Sequence, residues 1–234
     1  MHMLDFPALG SILASAMIGL SASAAPVIID ISSTSSPGTR TAVSTLDGSK
    51  MVAYNEIANG STTLANYFKN YVSNLVDTAG VATGMNLTML DVANGPTVGS
   101  KYASTTDFTG SLGASLFSDA MMKSFLAVYN SAKNIDYALT ELDPNATYNF
   151  DVLCNRDVSA GTTVITLAGL ATTVGSIAAL GNTALLSFKR VAPDANGRIV
   201  LYVSSSPAPT SSYAPINVFQ FEKIADVATL ITIQ

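Results

Sequence analysis

From residue 27 onward the chain consists of short runs rich in β-branched and aromatic residues, several alternating apolar with polar, each closed by turn-forming residues. The runs are VIIDI (27–31), MVAYNEI (51–57), YVSNLVD (71–77), MNLTMLD (85–91), IDYALTEL (135–142), TYNFDVLCN (147–155), TTVITLAG (162–169), TALLSFKR (183–190), RIVLYVSS (198–205) and INVFQFEKI (216–224). A period of two marks a half-buried strand, because successive side chains point to opposite faces of a sheet. Helical patterns do not separate these runs, so they predict an all-β, antiparallel sandwich and not alternating strand and helix units. One short internal helix is predicted over 117–129, where Phe117, Met121, Phe125 and Tyr129 recur at four-residue intervals. The stretch 94–115 has no period and predicts a long loop, and TLITIQ near the end of 225–234 alternates like one further strand.

The turns carry their own signals. DANGR (194–198) sets Asn196-Gly197 between two runs, which predicts a hairpin with a type I′ turn, since both central residues of that turn need positive φ. DTAGVATG (77–84) joins two further runs in the same manner. In LDPNATY (142–148), Leu142, Pro144 and Tyr148 have the spacing of a tyrosine corner, in which a tyrosine near the start of a strand returns its hydroxyl to the backbone upstream.

Before residue 26 the pattern differs. LDFPALGSILASAMIGLSASAAP (4–26) has an apolar stretch and small residues ahead of Pro26, like a secretory signal with its cleavage site. It lacks the basic beginning of such a signal, since Asp5 stands there and the first Lys or Arg is Arg40. A membrane span is not expected either, because serines and glycines interrupt residues 9–29 and no cation flanks them. The segment therefore predicts a retained interaction arm, residues 1–25, joined to a sandwich domain, residues 26–234. Pro7 suits a first helical turn, Leu9, Ile12, Met17 and Leu20 have helical spacing, and Leu4, Phe6, Pro7, Leu9 and Ile12 are the expected partner-anchoring residues.

Composition narrows the function. Of 234 residues, 48% are hydrophobic and only 12% charged, where soluble domains usually carry about a quarter charged. So sparse a charged skin fits either surface covered by neighbouring subunits, hence a homo-oligomer, or a hydroxyl-rich extracellular protein. A net charge of −5 with no basic cluster argues against a nucleic-acid partner. Cys154 is the only cysteine, so neither an intramolecular disulfide nor a multi-thiolate metal site can form.

Catalytic groups are scarce. His2 is the only histidine, leaving no placed base for a Ser-His-Asp or Cys-His arrangement and too few imidazoles for zinc hydrolysis. Paired carboxylates could serve a glycosidase, but Glu56, Glu141 and Glu222 are the only glutamates, and aspartates such as Asp77, Asp143 and Asp194 fall in turns. Asp143, Asn145, Thr147, Asn149 and Asp151 alternate as in a calcium loop, yet they lack its central glycine and terminal glutamate, and the outer face of a strand alternates in the same way. Arg156 and Asp157 are expected to form an exposed ion pair at a strand end, and Cys154 to be a core thiol. The sequons at 59–61, 86–88 and 145–147 are what a chain rich in Asn, Ser and Thr produces by chance. No catalytic residue, cofactor or metal is expected.

The order ALTELDPNATYNFDVLCNRD, TTVITLAG, N-x-x-x-L-x-F (182–188), VAPDANGRIVLYVSSS and APINVFQFEKI resembles jelly-roll modules of galactose-binding-like or carbohydrate-binding topology. Such modules are appended to secreted bacterial proteins and occur in tailed-phage fibres and head decorations. The beginning LDFPA is similar to openings of phage tail-fibre proteins. The resemblance implies a jelly-roll β-sandwich over roughly 26–224; the N-terminal apolar arm precedes it. The chain departs from sugar-binding relatives in having no Trp, so a stacking platform for a sugar would have to be a Tyr. The leading expectation is a non-catalytic virion protein, held to capsid or tail partners by its arm. The alternative is a secreted, extracellular module that binds a surface glycan.

Overall fold

The computed structural model describes residues 24–32, 38–46, 50–58, 71–90, 111, 115–123, 125–129, 134–157, 159–206 and 213–224. In chain order they form β1 (Val27–Ser32), β2 (Gly38–Leu46), β3 (Lys50–Ala58), β4 (Tyr71–Val72), β5 (Asn86–Leu90), α1 (Asp119–Lys123), β6 (Leu126–Tyr129), β7 (Asn134–Thr140) and β8 (Thr147–Leu153). Then follow β9 (Thr162–Ala168), β10 (Thr172–Ala178), β11 (Leu185–Val191), β12 (Ile199–Ser205), β13 (Tyr213–Ile216) and β14 (Val218–Ile224).

The strands build a β-sandwich of two six-stranded sheets, ordered β11-β8-β14-β1-β3-β2 and β10-β9-β12-β7-β5-β4, with β13 and β6 forming a separate pair. From β7 onward the chain keeps changing sheets: β7 to β8, β8 to β9, β10 to β11 and β11 to β12 all cross the sandwich. Pairing is antiparallel except between β1 and β3, where Ile29 runs parallel beside Asn55. The expected antiparallel sandwich is present, with this one parallel strand pair among the described residues.

Alternation produces the core. Tyr148, Phe150 and Val152 of β8, Phe219 and Phe221 of β14, and Val27, Ile29 and Ile31 of β1 meet Tyr137 and Leu139 of β7, Ile165 and Leu167 of β9, and Leu201 and Val203 of β12. Phe150 stacks on Phe221 with ring centroids 5.6 Å apart. Burying each such side chain contributes roughly 1.5–3 kcal/mol, which is why the period-two runs specify the fold.

The predicted helix over 117–129 is cut short. Phe117, Met121 and Met122 do pack against Ile28, Leu153 and Val218 on the outer face of the first sheet. The Asn217 side chain then donates to the Met122 carbonyl at 2.8 Å, and Leu126–Tyr129 leaves the helix to pair with β13. The DANGR hairpin is also corrected. Its flanking strands, β11 and β12, belong to different sheets, so the turn is a crossing between layers. Gly197 has φ +68° while Asn196 does not have positive φ, and the Asp194 carboxylate accepts from the Asn196 and Arg198 amides at 2.9 and 3.0 Å. DTAGVATG does connect the paired strands β4 and β5. The predicted loop 94–115 falls almost wholly outside the described residues, and the tail 225–234 wholly so.

Candidate functional site

The tyrosine corner is present and organises one end of the sandwich. Between β7 and β8 the Asp143 amide donates to the Tyr148 hydroxyl at 3.0 Å, fixing the crossing from one sheet to the other. The turn is secured by Asp143 Oδ1 accepting the Asn145 amide at 2.9 Å, while Oδ2 accepts from Lys223 Nζ at 2.7 Å. Lys223 lies near the end of β14, whose Phe221 stands opposite Val27 at the start of β1. The β4–β5 connection folds over the same end. There the Asp77 carboxylate accepts the Ala79 and Val81 amides at 2.9 Å each, and the Thr78 amide donates to the Pro26 carbonyl at 2.8 Å.

These segments enclose an open cavity of about 320 Å³ lined by Asp77, Glu141, Asp143, Tyr148, Phe221 and Lys223, with Ala24, Ala25, Ala82, Thr83 and Met85 at its sides. Glu141 is exposed and has φ +61°, a left-handed conformation that costs a side-chain-bearing residue about 1–2 kcal/mol. The Lys223 hydrogen bond, followed by that from the Asn145 amide, holds the Asp143 carboxyl below its ordinary range, so it is a carboxylate at neutral pH. The cavity thus presents acidic acceptors and one ammonium donor above the buried rings of Tyr148 and Phe221.

Other sequence-selected residues are placed elsewhere. Asn149 and Asp151 lie on the outer face of the first sheet, where Asn149 donates to Glu222 at 3.2 Å and Asp151 accepts from Ser187 and from Gln220 at 3.1 Å. The alternating series 143–151 is therefore split between a turn and a strand face. Among the described residues no three His, Cys, Asp or Glu side chains converge as a metal site. Arg156, expected as half of an exposed ion pair, is instead buried at 6% exposure, its guanidinium 3.7 Å from the Tyr213 ring centre and 5.6 Å from that of Phe125. Stacking on two rings explains the burial. Nothing in CNRD announces it, because both rings come from distant strands and loops. Cys154 is buried, and desolvation pushes its thiol up to about 12. The anchoring residues Leu4, Phe6, Pro7, Leu9 and Ile12 lie outside the described residues, as does the first sequon. No helix among the described residues is long and apolar enough to cross a membrane.

No family model and no curated protein matches the chain. Similar solved structures include the ANXUR1 extracellular domain from Arabidopsis thaliana, at 16% identity and TM-score 0.39, covering 60% of this chain and 49% of that one. The chain thus spans about half the length of that ectodomain. The carbohydrate-binding module CBM36 in complex with calcium and xylotriose matches at 21% identity and TM-score 0.33, over 56% of this chain and 97% of the module. A complex of the plant peptide RALF23 with FER and LLG2 matches at 9% identity and TM-score 0.46, over 76% and 58%. At these identities and scores the matches describe no more than a shared β-sandwich class.

Proposed function

We propose that the chain is a non-catalytic carbohydrate-binding β-sandwich of the extracellular kind, and that the cavity at the tyrosine-corner end receives the end of a glycan. The observation that carries this is the convergence of Asp77, Glu141, Asp143 and Lys223 over Tyr148 and Phe221 in one open cavity. Sugar hydroxyls both donate and accept, so acidic acceptors beside an ammonium donor can bind them in pairs. The volume lies at the small end of ligand sites, about 300–1,000 Å³, which suits a terminal sugar more than a long chain segment. The neighbouring module CBM36 is described in complex with calcium and xylotriose. The virion reading stands on arm residues outside those described, and no feature of the sandwich favours it over glycan binding.

Glycan-array screening of the full chain, followed by calorimetry with the best ligand, tests the proposal. Lys223→Ala is expected to weaken binding at least about tenfold, the loss of one charge-assisted hydrogen bond. Glu141→Gly is expected to weaken binding without lowering stability, because release of about 1–2 kcal/mol of left-handed strain offsets the roughly 0.5–1 kcal/mol entropic cost of glycine. An array with no binder, or full affinity in both variants, would overturn the site.

A further inference from the structure

Among the described residues four strands end the two sheets, β2, β4, β10 and β11, and they are not protected alike; β2 carries the charged Arg40. β4 ends the second sheet with only two residues. β11 ends the first sheet with a register shift between Phe188 and Val191, Arg190 at φ +57°, and Lys189 exposed. A short strand, a bulge and charged residues are the usual devices that prevent one sheet edge from pairing with another.

β10, the other edge of the second sheet, has none of them. It is seven residues long, TTVGSIA, and pairs with β9 over all seven positions without a shift. It contains no proline, and no Asp, Glu, Lys or Arg occurs anywhere from 158 to 188. Gly175 lets β10 lie close against β11, since a Cβ there would come within 3.0 Å of both Leu186 and Phe188 side-chain atoms. Leu170, Val174 and Leu180, on β10 and its flanks, are 76%, 62% and 59% exposed.

We propose that β10 is a homodimerisation edge, on which a second copy of this chain pairs its own β10 antiparallel about a two-fold axis. A two-fold axis normal to the sheets sets a strand antiparallel to itself and would join two six-stranded sheets into one. Charge identifies the occupant. Two copies of net charge −5 meet at least electrostatic cost where neither carries charge, and β10 lies in the long uncharged stretch. The pairing sets Thr, Val, Ser, Ile and Ala side chains against one another, with no buried charge. A basic partner would find no acid on this strand.

The test uses the full chain, followed by sedimentation velocity across a concentration series and by amide exchange at low and high concentration. The expected result is a monomer–dimer equilibrium in which β10 amides gain protection as the dimer forms. Val174→Lys, at a side chain already exposed, is expected to raise the dissociation constant at least about tenfold by setting two like charges near the axis. Val81→Lys, at 60% exposure elsewhere, should leave it unchanged. A monomer at every concentration, a dimer indifferent to Val174→Lys, or protection gained away from β10 would each overturn the proposal.

Discussion

Tyr137 and Tyr148 are both buried in the core beside phenylalanines, Phe219 and Phe221 respectively, yet removing the same oxygen has opposite consequences at the two sites. The Tyr148 hydroxyl accepts the Asp143 amide, so Tyr148→Phe leaves a donor unmet and costs about 1 kcal/mol. The Tyr137 hydroxyl is buried without a hydrogen-bond partner among the described residues, so Tyr137→Phe is expected to stabilise the fold by about 1–2 kcal/mol. Urea denaturation at neutral pH with an unchanged m-value reads both signs, and a less stable Tyr137→Phe would refute the assignment. The same burial sets an alkaline limit. Desolvation raises Tyr137 and Tyr148 above their ordinary value of 10.0, and Cys154 from 9.0 to about 12. The unfolded chain therefore loses these protons first, and stability present below about pH 9 falls as pH rises beyond it. Tyr137→Phe should make that decline shallower above pH 10.

At the level of elements, alternation was readable wherever a strand has one buried and one exposed face. β8 and β9 show it plainly, with Tyr148, Phe150 and Val152, and Thr163, Ile165 and Leu167, buried in turn. β10 was not readable, because it is exposed on nearly every position and its residues are small. The stretch Leu126–Tyr129 has a helical pattern without a helix, since the four-residue spacing of Phe117, Met121 and Phe125 continues by chance into a segment that tertiary pairing with β13 turns into a strand. For the candidate site, Asp77, Glu141 and Asp143 were visible as turn or strand-end carboxylates, but their meeting with Lys223 depends on which sheet ends coincide. Gly197 illustrates the same limit. The sequence signals a glycine turn, whereas the structure shows why only glycine serves: φ is +68° and a Cβ would lie 2.2 Å from the Leu142 carbonyl oxygen. Gly84 shares the positive φ of +78° but faces open space. Gly84→Ala is accordingly expected to cost about 1–2 kcal/mol of strain, and Gly197→Ala distinctly more. Equal losses in thermal or chemical denaturation would remove the steric argument.

For the molecule as a whole, the place of β1 in the first sheet decides what can be removed. β1 runs between β14 and β3, and Val27, Ile28, Ile29 and Ile31 are each no more than 2% exposed. At roughly 1.5–3 kcal/mol for each side chain, β1 contributes as much gross stabilisation as the 5–15 kcal/mol net stability of an ordinary domain. Deleting residues 1–31 should therefore abolish folding. Deleting 1–23 keeps Pro26, whose carbonyl holds the β4–β5 connection through Thr78, and keeps Ala24 and Ala25 beside the cavity. The shorter deletion is expected to fold with an unchanged thermal midpoint and to bind glycan as the full chain does. If it folds but no longer enters a larger assembly formed by the full chain, the N-terminal segment is the anchoring device its apolar sequence suggests, separate from the proposed glycan site. Loss of folding in the 1–23 deletion would instead make the arm part of the sandwich and would place the domain boundary N-terminal to residue 26.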